Sequence, residues 1–74
     1  MSSEKKNNLK YLIGQNIRKI RRGQGISQDR LSKLADLSLN TIVNIESGAN
    51  INPTIYTLNK IANALGVTVD DLMR

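Results

Sequence analysis

The sequence predicts an all-α fold, a compact five-helix bundle, and three observations carry that reading. Apolar residues recur at helical spacing in one segment after another. Small polar residues of the kind that cap helix N-termini, Ser27, Ser38, Thr54 and Thr68, stand directly before four of those segments. Phe and Trp are absent and only Tyr11 and Tyr56 are aromatic, so the core has to be aliphatic and helical. At 74 residues the chain is one small domain, and a chain of that size buries only roughly 60–65% of its unfolded surface.

The elements follow in order. Residues 1–8, "MSSEKKNN", lack apolar periodicity and read as a flexible basic N-terminal tail ahead of a domain spanning 9–74. The first helix places Ile13, Ile17 and Ile20 at i, i+4 and i+7 and stops in "RRGQG" at Gly23 and Gly25; Arg18 and Arg22 face outward and Arg21 falls at the edge of the apolar stripe. The second helix starts at the cap Ser27, where Ile26 can staple onto Leu31, and its expected core face is Leu31, Leu34 and Ala35, with small Ser32 permitting a close neighbour. Asp36 stands where the chain must reverse, in a left-handed conformation that Asp tolerates. Ser38 at once caps a third helix. Its buried direction is set by Ile42 and Ile45, which leaves Asn40, Val43, Asn44 and Ser47 on the opposite face and Leu39 at the exposed N-terminal edge. Thr54 caps a fourth helix with Leu58, Ile61, Ala62 and Leu65 inward and Gly66 as its stop. A short fifth helix begins at Thr68, which has capping-box spacing to Asp71, and Val67 can staple to Leu72.

Composition removes several function classes. Without Cys or His the chain has no disulfide, no Cys or His zinc site and no Ser/His/Asp or Cys/His catalytic set. No carboxylate pair is spaced for acid and base work, and Asp70 and Asp71 read as charges at a helix N-terminus. The reading is therefore a non-enzyme with no metal, no cofactor and no small-molecule ligand. No apolar run suits a membrane span or a signal peptide, so a cytoplasmic protein is expected. Two tyrosines are too few for a platform that stacks single-stranded bases.

Charge points to a partner. Residues 1–33 hold nine Lys and Arg against Glu4 and Asp29, a net +7, whereas residues 34–74 hold Lys60 and Arg74 against Asp36, Glu46, Asp70 and Asp71, a net −2. A pI near 10.0 with that asymmetry suits a polyanion. The outward face of the third helix is neutral and short-chained, able to hydrogen-bond and to touch methyl groups without repelling an anion, which fits the major groove of double-stranded DNA.

The combination of a capped helix, a three-residue turn containing Leu37, a second capped helix and a terminal "IESG" resembles the helix-turn-helix of the lambda-repressor-like, Xre-type DNA-binding domains. The resemblance covers residues 12–73, through "IRKIRRGQGISQ", "NTIVNIESG" and "NPTIYTLNKIANALGVTVDDLM". It implies a helix-turn-helix formed by helices 2 and 3, with helix 3 (about 39–47) reading bases. By position it puts Gln28 on a phosphate-contacting glutamine, Leu39, Asn40 and Asn44 on recognition positions and Ser47 on a backbone-contacting one. It also implies a structural salt bridge between Arg21 and Glu46. Two positions depart from the family pattern: Asp36 replaces the usual turn glycine, and Leu39, which cannot donate a hydrogen bond, stands at a position often held by Arg, Gln or Lys.

The resulting expectation is a transcriptional regulator, a repressor acting by steric occlusion, since the chain ends almost as soon as the DNA-binding domain is complete. Asn40 and Asn44 would pair with adenine edges, and Leu39 and Val43 would favour thymine methyls. Gln28 and Ser47 would contact phosphate, joined more loosely by Lys10 and Arg18 and by Ser38 beside its capping role. A palindromic operator and a homodimer on DNA are expected, because one helix reads too few base pairs to define a site. The dimer surface would involve the loop from Ala49 to Asn52 or the C-terminal "VDDLMR", where Met73 or Leu72 is left partly exposed. The competing expectation is a protein-binding module on the same fold, a bridging factor or antitoxin-like partner binder, which would show a larger apolar patch on helix 3.

Overall fold

The computed structural model describes residues 11–74, and the expected tail, the start of the domain at Leu9 and the side chain of Lys10 lie outside the described residues. Five helices follow one another, α1 (Leu12–Gly23), α2 (Gln28–Ala35), α3 (Leu39–Ser47), α4 (Ile55–Leu65) and α5 (Val69–Leu72), with no strand among the described residues. No helix among them is long and apolar enough to cross a membrane.

Local chemistry sets the boundaries. The hydroxyls of Ser27, Ser38, Thr54 and Thr68 accept the backbone N–H of Arg30, Thr41, Thr57 and Asp71, so the last four helices each start on a side-chain cap. Such caps contribute about 1 kcal/mol each by satisfying N–H groups that have no partner within the helix. At the other ends the chain turns left-handed: Asp36 closes α2 at φ 55°, and Gly48 and Gly66 close α3 and α4 at φ 86° and 71°.

The core is aliphatic. Ile17 from α1, Leu31 and Ala35 from α2, Ile42 and Ile45 from α3, Leu58, Ile61, Ala62 and Leu65 from α4 and Leu72 from α5 are all buried, with Ile13, Ile20, Ile26, Leu37, Val67 and Val69 packed around them. One expected core residue is misplaced. Leu34 is 47% exposed, because the buried stripe of α2 runs through Leu31, Ser32 and Ala35. Ser32 buries its hydroxyl by donating it to the Asp29 carbonyl at 2.7 Å, so the helix turns this small residue inward and carries Leu34 out.

Helix α1 organises the rest by packing on both α3 and α5. Gly14 faces α3 so closely that an added Cβ would overlap the Ile45 carbonyl. On another side of α1, the Asn16 side-chain amide donates to the carbonyls of Leu72 at 2.8 Å and Arg74 at 2.9 Å, holding the four-residue α5 in place. Gln24 likewise donates to the Leu65 carbonyl at the end of α4, at 2.6 Å. Of the two residues expected at the C-terminal surface, Leu72 is fully buried and Met73 is the exposed one.

Candidate nucleic-acid interface

Two short helices and a three-residue turn build the site. At the end of α2 the N–H of Leu37 donates to the Ser32 carbonyl at 2.9 Å and that of Asp36 to Lys33 at 3.2 Å, which satisfies helix-end carbonyls while the chain reverses. Leu37 packs against the core inside the turn and Ser38 starts α3. Lys60 from α4 donates to the Asp36 carbonyl at 3.3 Å. The α2–α3 angle is thus held by an αL residue, a half-buried leucine packed on the core and a lysine reaching over from a third helix.

α3 buries Ile42, Ile45 and Glu46 and turns the remainder outward. Leu39, Asn40, Val43 and Ser47 are exposed and Asn44 is half-buried beside them. The side-chain amides of Asn40 and Asn44 make no hydrogen bond with the described residues, so both keep two donors and an acceptor available; such an amide can bind an adenine edge at N6 and N7. Leu39 and Val43 supply exposed methyl groups on the same face.

The polar residues around α3 are more engaged than that face. Ser38 receives the Thr41 N–H at 3.1 Å and shares a 2.8 Å hydrogen bond with the Thr41 hydroxyl. Ser47 donates to the Asn44 carbonyl at 3.2 Å and receives the Ala49 N–H at 3.3 Å, closing the end of the helix. Gln28, half-buried, donates to Glu46 at 3.1 Å. The backbone N–H groups of Gln28, Asp29, Leu39 and Asn40 have no acceptor among the described residues, leaving two helix N-termini open to an anion.

Electrostatics favour the same ligand. The one acid on α3, Glu46, is 7% exposed and neutralised by Arg21, whose Nε lies 2.7 Å from Oε2 and whose second guanidinium nitrogen lies 3.0 Å from Oε1. Asp29, in the first turn of α2, pairs with Lys33 at 3.0 Å. Arg18, Lys19, Arg22 and Arg30 are exposed and form no ion pair among the described residues. Arg18 lies on α1, outside the α2–α3 pair.

Three features of the site have no counterpart in the residue-by-residue reading. Gly14 permits α3 to lie directly on α1. Tyr11 covers Gly48, whose missing side chain makes room for the ring at the end of α3. Gln28 joins the Arg21–Glu46 pair instead of standing free. A glycine within a helical pattern is a signal for the first of these; the other two depend on contacts between residues more than fifteen positions apart and leave no periodic trace.

Comparison with known proteins agrees with this architecture. Residues 17–72 match the helix-turn-helix family model. The chain is 38% identical to the control protein C.BamHI of Bacillus amyloliquefaciens over 68 residues, which cover 90% of this chain and 83% of that one. It is 32% identical to an HTH-type transcriptional regulator, y4dJ, of Sinorhizobium fredii over 65 residues, 88% of this chain and 83% of that one. Among solved structures, the restriction-modification controller protein C.AhdI from Aeromonas hydrophila superposes with a TM-score of 0.81 at 29% identity, covering 89% of this chain and 97% of that one. Together with the paired α2 and α3, these matches place the chain in the lambda-repressor-like, Xre-type helix-turn-helix family of DNA-binding transcriptional regulators.

Proposed function

We propose that the protein represses transcription by occupying a two-fold symmetric operator as a homodimer, with α3 of each copy in the major groove. The observation that carries this reading is the face of α3: two uncommitted amides and two apolar side chains, without an exposed acid, on a helix fixed from behind by buried contacts. Asn40 and Asn44 read adenine, and Leu39 and Val43 contact thymine methyls. Gln28, Ser47 and the open N-termini of α2 and α3 hold phosphates, with Arg18, Lys10 and Ser38 contributing more weakly. Repression has support from a relative: over 61 residues the chain is 34% identical to the immunity repressor of Bacillus phage phi105, of which it covers 42%. The likeness to C.AhdI favours a second reading of the genes served, namely a restriction-modification system.

Dimerisation uses surface away from α3. Ile51, Ile55 and Tyr56, the last two 63% and 66% exposed, form an apolar stretch leading into α4, and Met73 is exposed after α5. This location also argues against a protein-docking role for α3, since the most exposed apolar residues, Tyr56, Ile55 and Met73, lie elsewhere.

Alanine substitution tests the assignment of roles. Asn40→Ala and Asn44→Ala are each expected to cost about 1–3 kcal/mol on the preferred duplex with little loss on random DNA, whereas Gln28→Ala weakens both alike. Equal losses on every duplex at all three positions would remove base reading from Asn40 and Asn44.

A further inference from the structure

Glu46 sits at the meeting point of three elements. Its carboxylate accepts Arg21 Nε at 2.7 Å, a second Arg21 nitrogen at 3.0 Å and Gln28 Nε2 at 3.1 Å. The remaining guanidinium nitrogen of Arg21 donates to the Ile26 carbonyl at 2.8 Å, just before the cap of α2. One buried ion pair therefore ties α1 and α3 together and holds the first residue of α2.

We propose that Glu46 is a positioning residue that presets the Gln28 amide for phosphate, an inference that rests on the reading of Gln28 as a phosphate contact. A carboxylate only accepts hydrogen bonds, so the Gln28 amide has one permitted orientation, with its NH2 group toward Glu46. One N–H is held there, the other remains for an outside acceptor, and the carbonyl oxygen is kept away from Glu46. A surface glutamine free to rotate and flip would have to be ordered on binding; this one is ordered beforehand. Arg21 makes the arrangement compatible with DNA, because it neutralises the carboxylate that would otherwise stand close behind a phosphate contact. In Glu46→Gln the facing group both donates and accepts, so the preference for one amide orientation is lost while the shape is kept.

The test is a thermodynamic cycle in DNA affinity on the full chain, measured well below the melting temperature of each variant. On the preferred duplex Gln28→Ala is expected to weaken binding about tenfold, the scale of one hydrogen bond to a charged acceptor. Glu46→Gln should then cost about fivefold with Gln28 present and less than about twofold in the Gln28→Ala background, because little remains to be positioned. If Glu46→Gln is too unstable, the pair Arg21→Met/Glu46→Gln, which leaves no lone buried charge, carries the same cycle. In the wild-type protein, NMR should show the Gln28 side-chain amide protons exchanging with solvent more slowly than those of an exposed glutamine. Equal losses from Glu46→Gln in both backgrounds would overturn positioning and leave the phosphate contact standing. No loss from Gln28→Ala on any duplex would overturn both. Gln28 amide protons exchanging as freely as those of an exposed glutamine would also refute positioning, whatever the variants do.

Discussion

At the residue scale the Arg21–Glu46 pair matters most, because the two side chains are only 9% and 2% exposed and each would be costly alone. Removing one partner leaves an uncompensated charge in a poorly hydrated site, a loss that reaches about 3–5 kcal/mol in buried pairs. Arg21→Met and Glu46→Gln should each lower the melting temperature more than the two substitutions together. Unchanged melting temperatures for both single variants would mean the pair has no structural weight. The residue scale is also where the sequence was least complete. Arg21 reads from its spacing only as a boundary residue of an apolar stripe, and its pairing with Glu46 follows from family resemblance. The attachment of Gln28 to that pair does not, since no local pattern records a contact between side chains eighteen positions apart. Leu34 shows the complementary limit: its spacing fits a core position, but in an eight-residue helix a buried Ser32 turns the stripe enough to leave it outside.

At the element scale, starts and stops are the most legible feature. Ser27, Ser38, Thr54 and Thr68 cap helices where their side-chain chemistry predicts, because capping is decided within four residues. The shortest helix gives a pH prediction. Asp71 accepts the Thr68 backbone N–H at 3.0 Å while Thr68 accepts the Asp71 N–H at 3.1 Å. The backbone hydrogen bond from Thr68, then the one with its side chain, hold the Asp71 carboxyl below its ordinary value, with a smaller contribution from Arg74. A carboxyl lowered in the folded state stabilises it fully above the unfolded-state pKa, and that contribution disappears as the pH falls through the lowered value. Melting temperatures in an acid series should therefore fall less steeply for Asp71→Asn than for the wild type. Parallel acid limbs for the two proteins would show that the cap carries no pH-dependent stability. What anchors α5 was not legible: Asn16, an ordinary polar residue in sequence, reaches two carbonyls more than fifty positions away.

At the scale of the whole molecule, the five-helix order and the pairing of α2 with α3 could be read from the sequence, because each helix contributes apolar residues to a single shared core. The contact of α1 with α3 was implied by the family resemblance through the Arg21–Glu46 pair, whereas its closeness at Gly14, where an added Cβ would overlap the Ile45 carbonyl, was not read. The proposed dimer, weak and formed mainly on DNA, has exposed Ile51, Ile55, Tyr56 and Met73 as its candidate surface. Sedimentation at rising concentration should show monomer alone and a two-to-one complex on a palindromic duplex; a one-to-one complex on a symmetric site would exclude that arrangement. The most direct measurement is selection of bound duplexes from a random pool by the wild type and by Asn40→Ala/Asn44→Ala. The account predicts that the wild type enriches two inverted half-sites centred about 34 Å apart, and that the variant loses selection at specific adenine positions within each. An identical enriched motif for both proteins, or no enrichment with the wild type, would contradict base reading by α3.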